Sequence, residues 1–182
     1  MAVYTGSELT REPGGHIRQI RAILLDREIE LTPEAEVLLF SADRNVTQQR
    51  STLPALRAGL SVVSDRSYFS TLAYQCYGRG LDLSYAKAAT RLALGDVYAD
   101  HMLVLDAPFE VTEARMGNRG DSAKNDRFES EDKAFKIRVR NGFLELAREV
   151  GDRVTVIDAS GTIEETAQQI FEKCGRLLIE GV

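Results

Sequence analysis

The segment from Leu60 to Gly80 constrains the fold more than any other part of the sequence. It begins with the β-branched run 60–63, a pattern typical of a buried parallel strand. Asp65 and Arg66 follow where that strand would end. Ligands of open α/β sheets bind outside the carboxyl ends of the strands. The order therefore predicts a site, in which the carboxylate can hold a metal ion or its waters and the guanidinium can bind phosphate.

A plainer interpretation is that Asp65 and Arg66 only cap the strand and the following helix. The next residues favour a site, because polar and aromatic side chains follow in quick succession: Ser70, Thr71, Tyr74, Gln75 and Arg79.

Three further short apolar segments predict strands near residues 2–9, 101–106 and 154–157, in addition to 60–64. Segments with helical spacing separate them, at 16–26, 33–58, 81–95, 108–119, 125–150 and 163–178. Strands that alternate with helices predict an α/β fold, with a parallel sheet covered by helices on both faces. The length of 182 residues suits one domain, 1–182.

A second loop, Thr10-Arg11-Glu12-Pro13-Gly14-Gly15, interrupts the chain after the first predicted strand. Proline fixes φ and glycine permits close backbone approach, so this is a loop at a strand end. A surface turn would not need the Arg11–Glu12 pair, which favours a loop that lines a site.

Composition narrows the function classes. The net charge of -5, without a basic stripe, argues against nucleic acid as a partner. No apolar run reaches membrane-spanning length, so no membrane is expected. Cys76 and Cys174 form no metal-spaced pair. Together these features predict a cytoplasmic protein.

Four stretches resemble motifs of the bacterial thymidylate (dTMP) kinases: TREPGG, PEAEVLLFSADR, DRSYFSTLAYQ with the GRG after it, and NDRFE. They occur in the order typical of that family and cover nearly the whole chain. Ser67 stands where the family usually has an aromatic residue or histidine. The resemblance implies a three-layer P-loop-kinase-like fold that transfers phosphate from ATP to dTMP with Mg²⁺.

The same resemblance implies roles for individual residues. Phe40 would stack on thymine, Arg44 would bind its carbonyl edge, Arg66 the acceptor phosphate, and Asp65 the metal ion or its waters. The substrate site as a whole would comprise Arg11, Glu12, Phe40, Arg44, Arg66, Thr71, Tyr74 and Gln75.

The polar segment at about 115–130 resembles the family's lid, which implies that Arg119 and Arg127 contact phosphate and, with Asp65 and Arg66, form the catalytic set. Arg115, Asp158 and Ala159 would border the adenine of ATP. A solvated connection between two helices is the alternative interpretation of this segment.

No G-x-x-x-x-G-K-[ST] motif occurs in the 182 residues, although the family carries this P-loop after its first, central strand. The expectation is an N-terminally truncated dTMP kinase without that strand and P-loop, and the alternative is a non-catalytic nucleotide-binding relative. A deoxynucleoside kinase, suggested by Asp65-Arg66-Ser67, is disfavoured by TREPGG and by AYQ-x-x-GRG. Family members are usually homodimers, which is also expected here.

Overall fold

A strand lies in or overlaps each of the four predicted segments in the computed structural model, which describes residues 6–117 and 127–180, with side chains as far as Gly175. The strands are β1 (Ser7–Arg11), β2 (Ser61–Asp65), β3 (Met102–Asp106) and β4 (Val154–Asp158). Both strand pairs are parallel, as predicted. The first strand begins later than the predicted 2–9, and residues 1–5 lie outside the described part of the chain.

The strands pair two by two: β1 pairs with β2, and β3 pairs with β4. Within the described residues, no hydrogen-bonded ladder joins β2 to β3. The prediction that the run 60–63 is buried is therefore wrong, since Val63 is 48% exposed. The physical reason is that, within the described residues, β2 has a neighbouring strand on one edge only, so no side chains of a second strand flank Val63. In β3, Met102 and Val104 are buried, whereas Leu103 and Leu105 face outward and are exposed.

The helices occupy the predicted segments with shifted ends, except that the short helix after β2, Tyr68–Thr71, lies outside those segments. They are α1 (Arg18–Leu25), α2 (Pro33–Thr47), α3 (Leu53–Arg57), α4 (Tyr68–Thr71), α5 (Leu83–Leu94), α6 (Phe109–Gly117), α7 (Lys133–Val150) and α8 (Ile163–Glu180). Two π-helical segments, Gln48–Thr52 and Leu72–Gly78, continue α2 and α4. None of the helices in the described ranges is long and apolar enough to span a membrane.

The long helix predicted at 125–150 begins later than expected, at Lys133. The reason is a cap: the side chain of Asp132 accepts a hydrogen bond from the backbone N–H of Phe135, at 2.7 Å. A side-chain cap of this kind satisfies one of the unpaired donors at a helix start. Residues 127–130 precede the cap and form turns instead.

The core lies where α7 packs against the π-helical segment Leu72–Gly78. Two glycines make the close approach possible. A Cβ atom on Gly142 would lie 2.6 Å from Tyr77, and one on Gly78 would lie 2.6 Å from Phe135. The helix α7 also contacts β3 and β4, so it connects the second strand pair to the segment that follows β2.

Candidate active site

The carboxyl ends of β1 and β2 bring the two predicted loops together. Arg11 is the register partner of Asp65, and the N–H of Glu12 donates to the carbonyl oxygen of Asp65 at 2.9 Å. Arg66 has φ = +72°, the only positive φ of a non-glycine residue in the described ranges. Such a conformation is costly for a side-chain-bearing residue and is concentrated at functional sites. The sequence order Asp65-Arg66 therefore produces an exposed, strained corner at the strand end.

Arg44 is connected to this corner through Glu12 and is only 2% exposed. Its Nε and Nη2 atoms donate to the carboxylate of Glu12, at 3.0 and 2.8 Å, and Nη2 also donates to Thr71 Oγ1 at 2.8 Å. The remaining nitrogen, Nη1, is buried and has no hydrogen-bond partner in the described part of the chain. An unpaired buried donor is costly unless a ligand supplies the acceptor. Glu12 thus fixes the guanidinium, while the Nη1 edge of Arg44 is left for a ligand.

An aromatic wall adjoins Arg44. The rings of Phe40 and Phe128 have centroids 6.0 Å apart, and Tyr74 meets Phe128 edge to face at 5.4 Å. The guanidinium carbon of Arg66 lies 5.6 Å from the centre of the Tyr74 ring. Such ring pairs and cation–ring contacts are favourable and directional. The structure therefore brings together Phe40, Arg44, Arg66, Thr71 and Tyr74, all predicted from the sequence.

The sequence analysis missed the charged group behind this wall. Glu36 is fully buried and accepts hydrogen bonds from Gln75 Nε2 at 2.9 Å, Arg79 Nε at 2.8 Å and Arg127 Nη1 at 3.1 Å. Gln75, predicted to bind substrate, makes this contact through Nε2, and its role in substrate binding stays a prediction. A signal was present, because Glu36, Phe40 and Arg44 recur every four residues and so share one helix face.

Arg127 was predicted as a phosphate contact. In the structure its Nη1 is bound to Glu36, its Nη2 donates to the carbonyl oxygen of Asp26 at 3.2 Å, and the residue is 7% exposed. A phosphate contact through these two nitrogens would require Arg127 to leave both partners. That role stays a prediction. Arg119, its predicted companion, lies outside the described residues.

The predicted adenine residues meet at the end of β4. Arg115 Nη1 donates to the carbonyl oxygen of Ala159 at 2.7 Å, and its Nη2 donates to the carbonyls of Ser160 and Gly161. The hydroxyl and N–H of Ser160 donate to Asp158, which lowers the pKa of that carboxyl. An open cavity of about 710 Å³ lies here, lined by Asp158, Ser160, Gly161, Glu164, Glu165, Gln168 and Gln169.

A metal ion has one candidate ligand at the first strand pair. Asp65 lines an open depression of about 400 Å³ together with Leu9, Thr10, Arg11, Gly14, His16 and Ser51. No cluster of three or more metal-ligating side chains occurs in the described ranges. A single carboxylate suits Mg²⁺, which usually keeps several waters and takes its other ligands from substrate phosphates. The donor set therefore fits Mg²⁺ bound together with a nucleotide.

Arg11, Asp65 and Arg66 lie at the carboxyl ends of two parallel strands. The buried guanidinium of Arg44 and the aromatic wall lie beside them. This arrangement defines the class of α/β nucleotide-binding proteins. The comparisons specify the class further. The thymidylate kinase family model matches residues 3–170. The chain belongs to the thymidylate kinase family, whose fold is that of the P-loop kinases.

Curated relatives agree with this assignment. A protein of Desulfovibrio desulfuricans named thymidylate kinase is 44% identical over 168 residues, which cover 88% of this chain and 77% of the relative. One of Citrifermentans bemidjiense, with the same name, is 41% identical over 170 residues, covering 90% and 76%. A third, of Desulfosudis oleivorans, is 39% identical over 176 residues, covering 93% and 82%.

Proposed function

We propose that this chain binds dTMP and acts in the phosphorylation of dTMP to dTDP by ATP, a step of dTTP synthesis. The observation that carries the proposal is the state of Arg44. Its guanidinium is buried and oriented by Glu12 and Thr71, yet Nη1 has no acceptor among the residues that the structure describes. A pyrimidine carbonyl beside Phe40 would supply that acceptor, and the relatives named thymidylate kinase support thymine as the base.

The remaining roles follow from position. Phe40 would stack on the base, with Thr71 and Tyr74 beside it. Arg66, presented by its left-handed backbone at the strand end, would bind the acceptor phosphate with a bidentate fork. Arg11 and Glu12 would border the nucleotide from the opposite loop, and Gln75 would support the site through Glu36.

The ATP side of the proposal rests on β4. Arg115 holds the turn formed by Ala159, Ser160 and Gly161, and Asp158 lies at its start, so these residues would border the adenine. Asp65 would hold Mg²⁺ or its waters, and the ion would neutralise charge on the transferred phosphate. Asp65 would thus orient the metal ion, and Arg66 the acceptor phosphate, from the carboxyl end of the same strand.

Calorimetric titration with dTMP, dUMP and thymidine tests the proposal. We expect dTMP to bind, and Arg66→Ala to weaken dTMP binding far more than thymidine binding, because the lost contact is to phosphate. Arg91→Ala, which removes an exposed arginine of α5, is the matched control and leaves both affinities unchanged. If folded protein binds neither dTMP nor dUMP, the proposal is wrong.

A second candidate is nucleotide binding without phosphoryl transfer. The observation in its favour is that the 182 residues contain no G-x-x-x-x-G-K-[ST] motif, whose amides and lysine position the β- and γ-phosphates. It predicts dTMP binding with little or no ATP-dependent formation of dTDP. Substantial turnover by this chain, with host kinase excluded, would decide against the second candidate.

We also propose a cytoplasmic homodimer. Both cysteines are free, which suits a reducing compartment. The outer surface of α2 exposes Leu38 to 65%, and α5, which packs against α2, exposes Leu92 to 86%. Burying such side chains against a second copy would be favourable. Sedimentation equilibrium tests this: Leu38→Asp should shift the mass towards a monomer.

A further inference from the structure

The buried carboxylate of Glu36 lies at the meeting point of three segments. Glu36 lies in the first turn of α2 and is 0% exposed. Oε2 accepts from Gln75 and Arg79, which belong to the segment after β2, and Oε1 accepts from Arg127. A carboxylate withdrawn from water is costly unless several donors satisfy it, and here three donors do so.

The charges around Glu36 balance. Arg79 also forms an ion pair with Glu131 through Nη1, at 2.8 Å, so two carboxylates face two guanidinium groups. Burial lowers the pKa of Arg79, but the hydrogen bond and charge of Glu36, with a contribution from Glu131, outweigh burial and raise it. Arg79 therefore stays charged beside Glu36.

The network determines where residues 127–131 lie. The backbone N–H of Arg127 donates to the carbonyl oxygen of Leu25 at 3.2 Å, and its side chain reaches Glu36 and Asp26. The next residue, Phe128, packs on Phe40 and Tyr74, and Arg79 lies 5.7 Å from its ring centre. One wall of the proposed dTMP pocket is thus held by ion pairs made outside that pocket.

We infer that Glu36 is a positioning residue for nucleotide binding: by holding Arg127 and Arg79 it places Phe128 against Phe40 and Tyr74 and so completes the base-binding wall. The inference rests on the proposed function. A buried ion network often contributes little to stability compared with apolar packing. If the network around Glu36 contributed to stability alone, nucleotide affinity would be unchanged in any variant that folds.

Glu36→Gln tests the inference, because it keeps the shape of the side chain and removes its charge. Glu34→Gln is the matched control: it makes the same change in the same helix at an exposed position. If the competent arrangement of Phe128 falls to a tenth of the molecules, apparent affinity falls tenfold. We expect at least this loss for Glu36→Gln and none for Glu34→Gln, by titration with dTMP.

Two further measurements, the affinity for thymidine and the rate of amide hydrogen exchange, would stay unchanged if Glu36 had only a structural role. Phe128 borders the base, so Glu36→Gln should weaken the binding of thymidine and of dTMP by the same factor. Arg66→Ala, in contrast, should weaken mainly the binding of dTMP. Bound dTMP should also slow amide exchange in residues 127–131 of the wild-type protein, and this added protection should disappear in Glu36→Gln.

The outcomes separate the two proposals. No dTMP binding by the wild-type protein overturns the proposed function, and this inference with it. Normal dTMP binding with unchanged affinity and protection in Glu36→Gln overturns the inference alone. If Glu36→Gln does not fold, Arg127→Lys replaces it. Lysine keeps the charge but not the fork that spans Glu36 and the Asp26 carbonyl, and unchanged thymidine and dTMP affinities in that variant overturn the inference.

Discussion

Arg44 shows how a single buried cation depends on residues far apart in the chain. Its carboxylate partner comes from the loop after β1, its hydroxyl partner from α4, and it lies on α2 itself. Removing one partner of a buried ion pair is strongly destabilising, because the other charge is left without compensation. The loop around Glu12 and the helix around Arg44 are therefore fixed relative to each other.

Arg44→Lys should bind dTMP roughly tenfold to a hundredfold more weakly than the wild-type protein. Lysine keeps the positive charge but cannot hold Glu12 and still present a donor to the base. The lost hydrogen bond to a charged group corresponds to about 1.5–3 kcal/mol. Titration calorimetry measures the loss. Arg57→Lys, at an exposed position in α3, is the control, and equal affinities of the two variants would contradict the role of Arg44.

The thiol of Cys76 predicts a stability change in alkali. Burial, followed by the negative charge of Asp82, raises the pKa of Cys76 from 9.0 to about 11. Between these two pH values the unfolded chain has lost the thiol proton while the folded chain keeps it. The free energy of unfolding therefore falls as pH rises from 9 to 11. Urea unfolding across this range should show a shallower decline for Cys76→Ala, and parallel declines would contradict the prediction.

At the scale of elements, α2 shows what sequence periodicity can and cannot provide. The sequence correctly predicts its start: Thr32 caps the helix by accepting from Ala35 N–H at 3.2 Å, and Pro33 is the first helical residue. It does not predict which face is buried. Leu38 is 65% exposed, whereas Glu36, Asp43 and Arg44 are buried. Hydrophobic patterning assigns charged residues to solvent, and here tertiary ion pairs reverse that assignment.

The same limit applies to the site. Motif resemblance found Phe40, Arg44, Thr71 and Tyr74, which the structure brings together. It missed Glu36, because an acidic residue in the first turn of a helix is usual and did not indicate a buried ion network. It also missed Phe128, because its role depends on contacts with residues of α2 that are distant in the sequence. The π-helical segments were also missed, since one extra residue in a helical turn leaves no local signal in the hydrophobic pattern.

Gly142→Ala should destabilise the protein by about 1–2 kcal/mol. Alanine gains up to about 1 kcal/mol in helix propensity, but its Cβ would lie 2.6 Å from both Cβ and Cγ of Tyr77. Those atoms lie close to the backbone and cannot swing away, so overpacking, which costs about 1–3 kcal/mol, outweighs the gain. Denaturant unfolding measures the difference.

Gly175→Ala in α8 is the matched control for this substitution. A Cβ there would lie 3.7 Å from Phe171, an ordinary contact, so stability should be unchanged or higher. A Gly142→Ala variant as stable as Gly175→Ala would show that α7 and the segment 72–78 are packed more loosely than described.

At the scale of the whole molecule, the separation of the two strand pairs determines stability. β2 and β3 each have one neighbouring strand in the described ranges, and apolar side chains on these strands remain exposed, including Val63, Leu103 and Leu105. Burial of one such side chain contributes roughly 1.5–3 kcal/mol, against about 5–15 kcal/mol for a typical domain. The arrangement leaves several such contributions unrealised.

The 182-residue chain should therefore melt at low temperature and with poor cooperativity, or aggregate. Differential scanning calorimetry measures both the midpoint and the ratio of calorimetric to van't Hoff enthalpy. A single cooperative transition at high temperature would show that the strand pairs are joined in solution.

The pairing of β1 with β2 and of β3 with β4 also determines where the chain could be divided. Within the described residues, no ladder passes from the first pair to the second, so a cut between Gly95 and His101 would interrupt no sheet. Two kinds of contact would have to re-form between the halves: the packing of Gly142 on Tyr77 and of Phe135 on Gly78, and the ion pairs that Glu36 and Arg79 make with Arg127 and Glu131. Fission of the gene at this point would leave two polypeptides whose reassociation depends on side-chain packing and ion pairs, without any strand pairing.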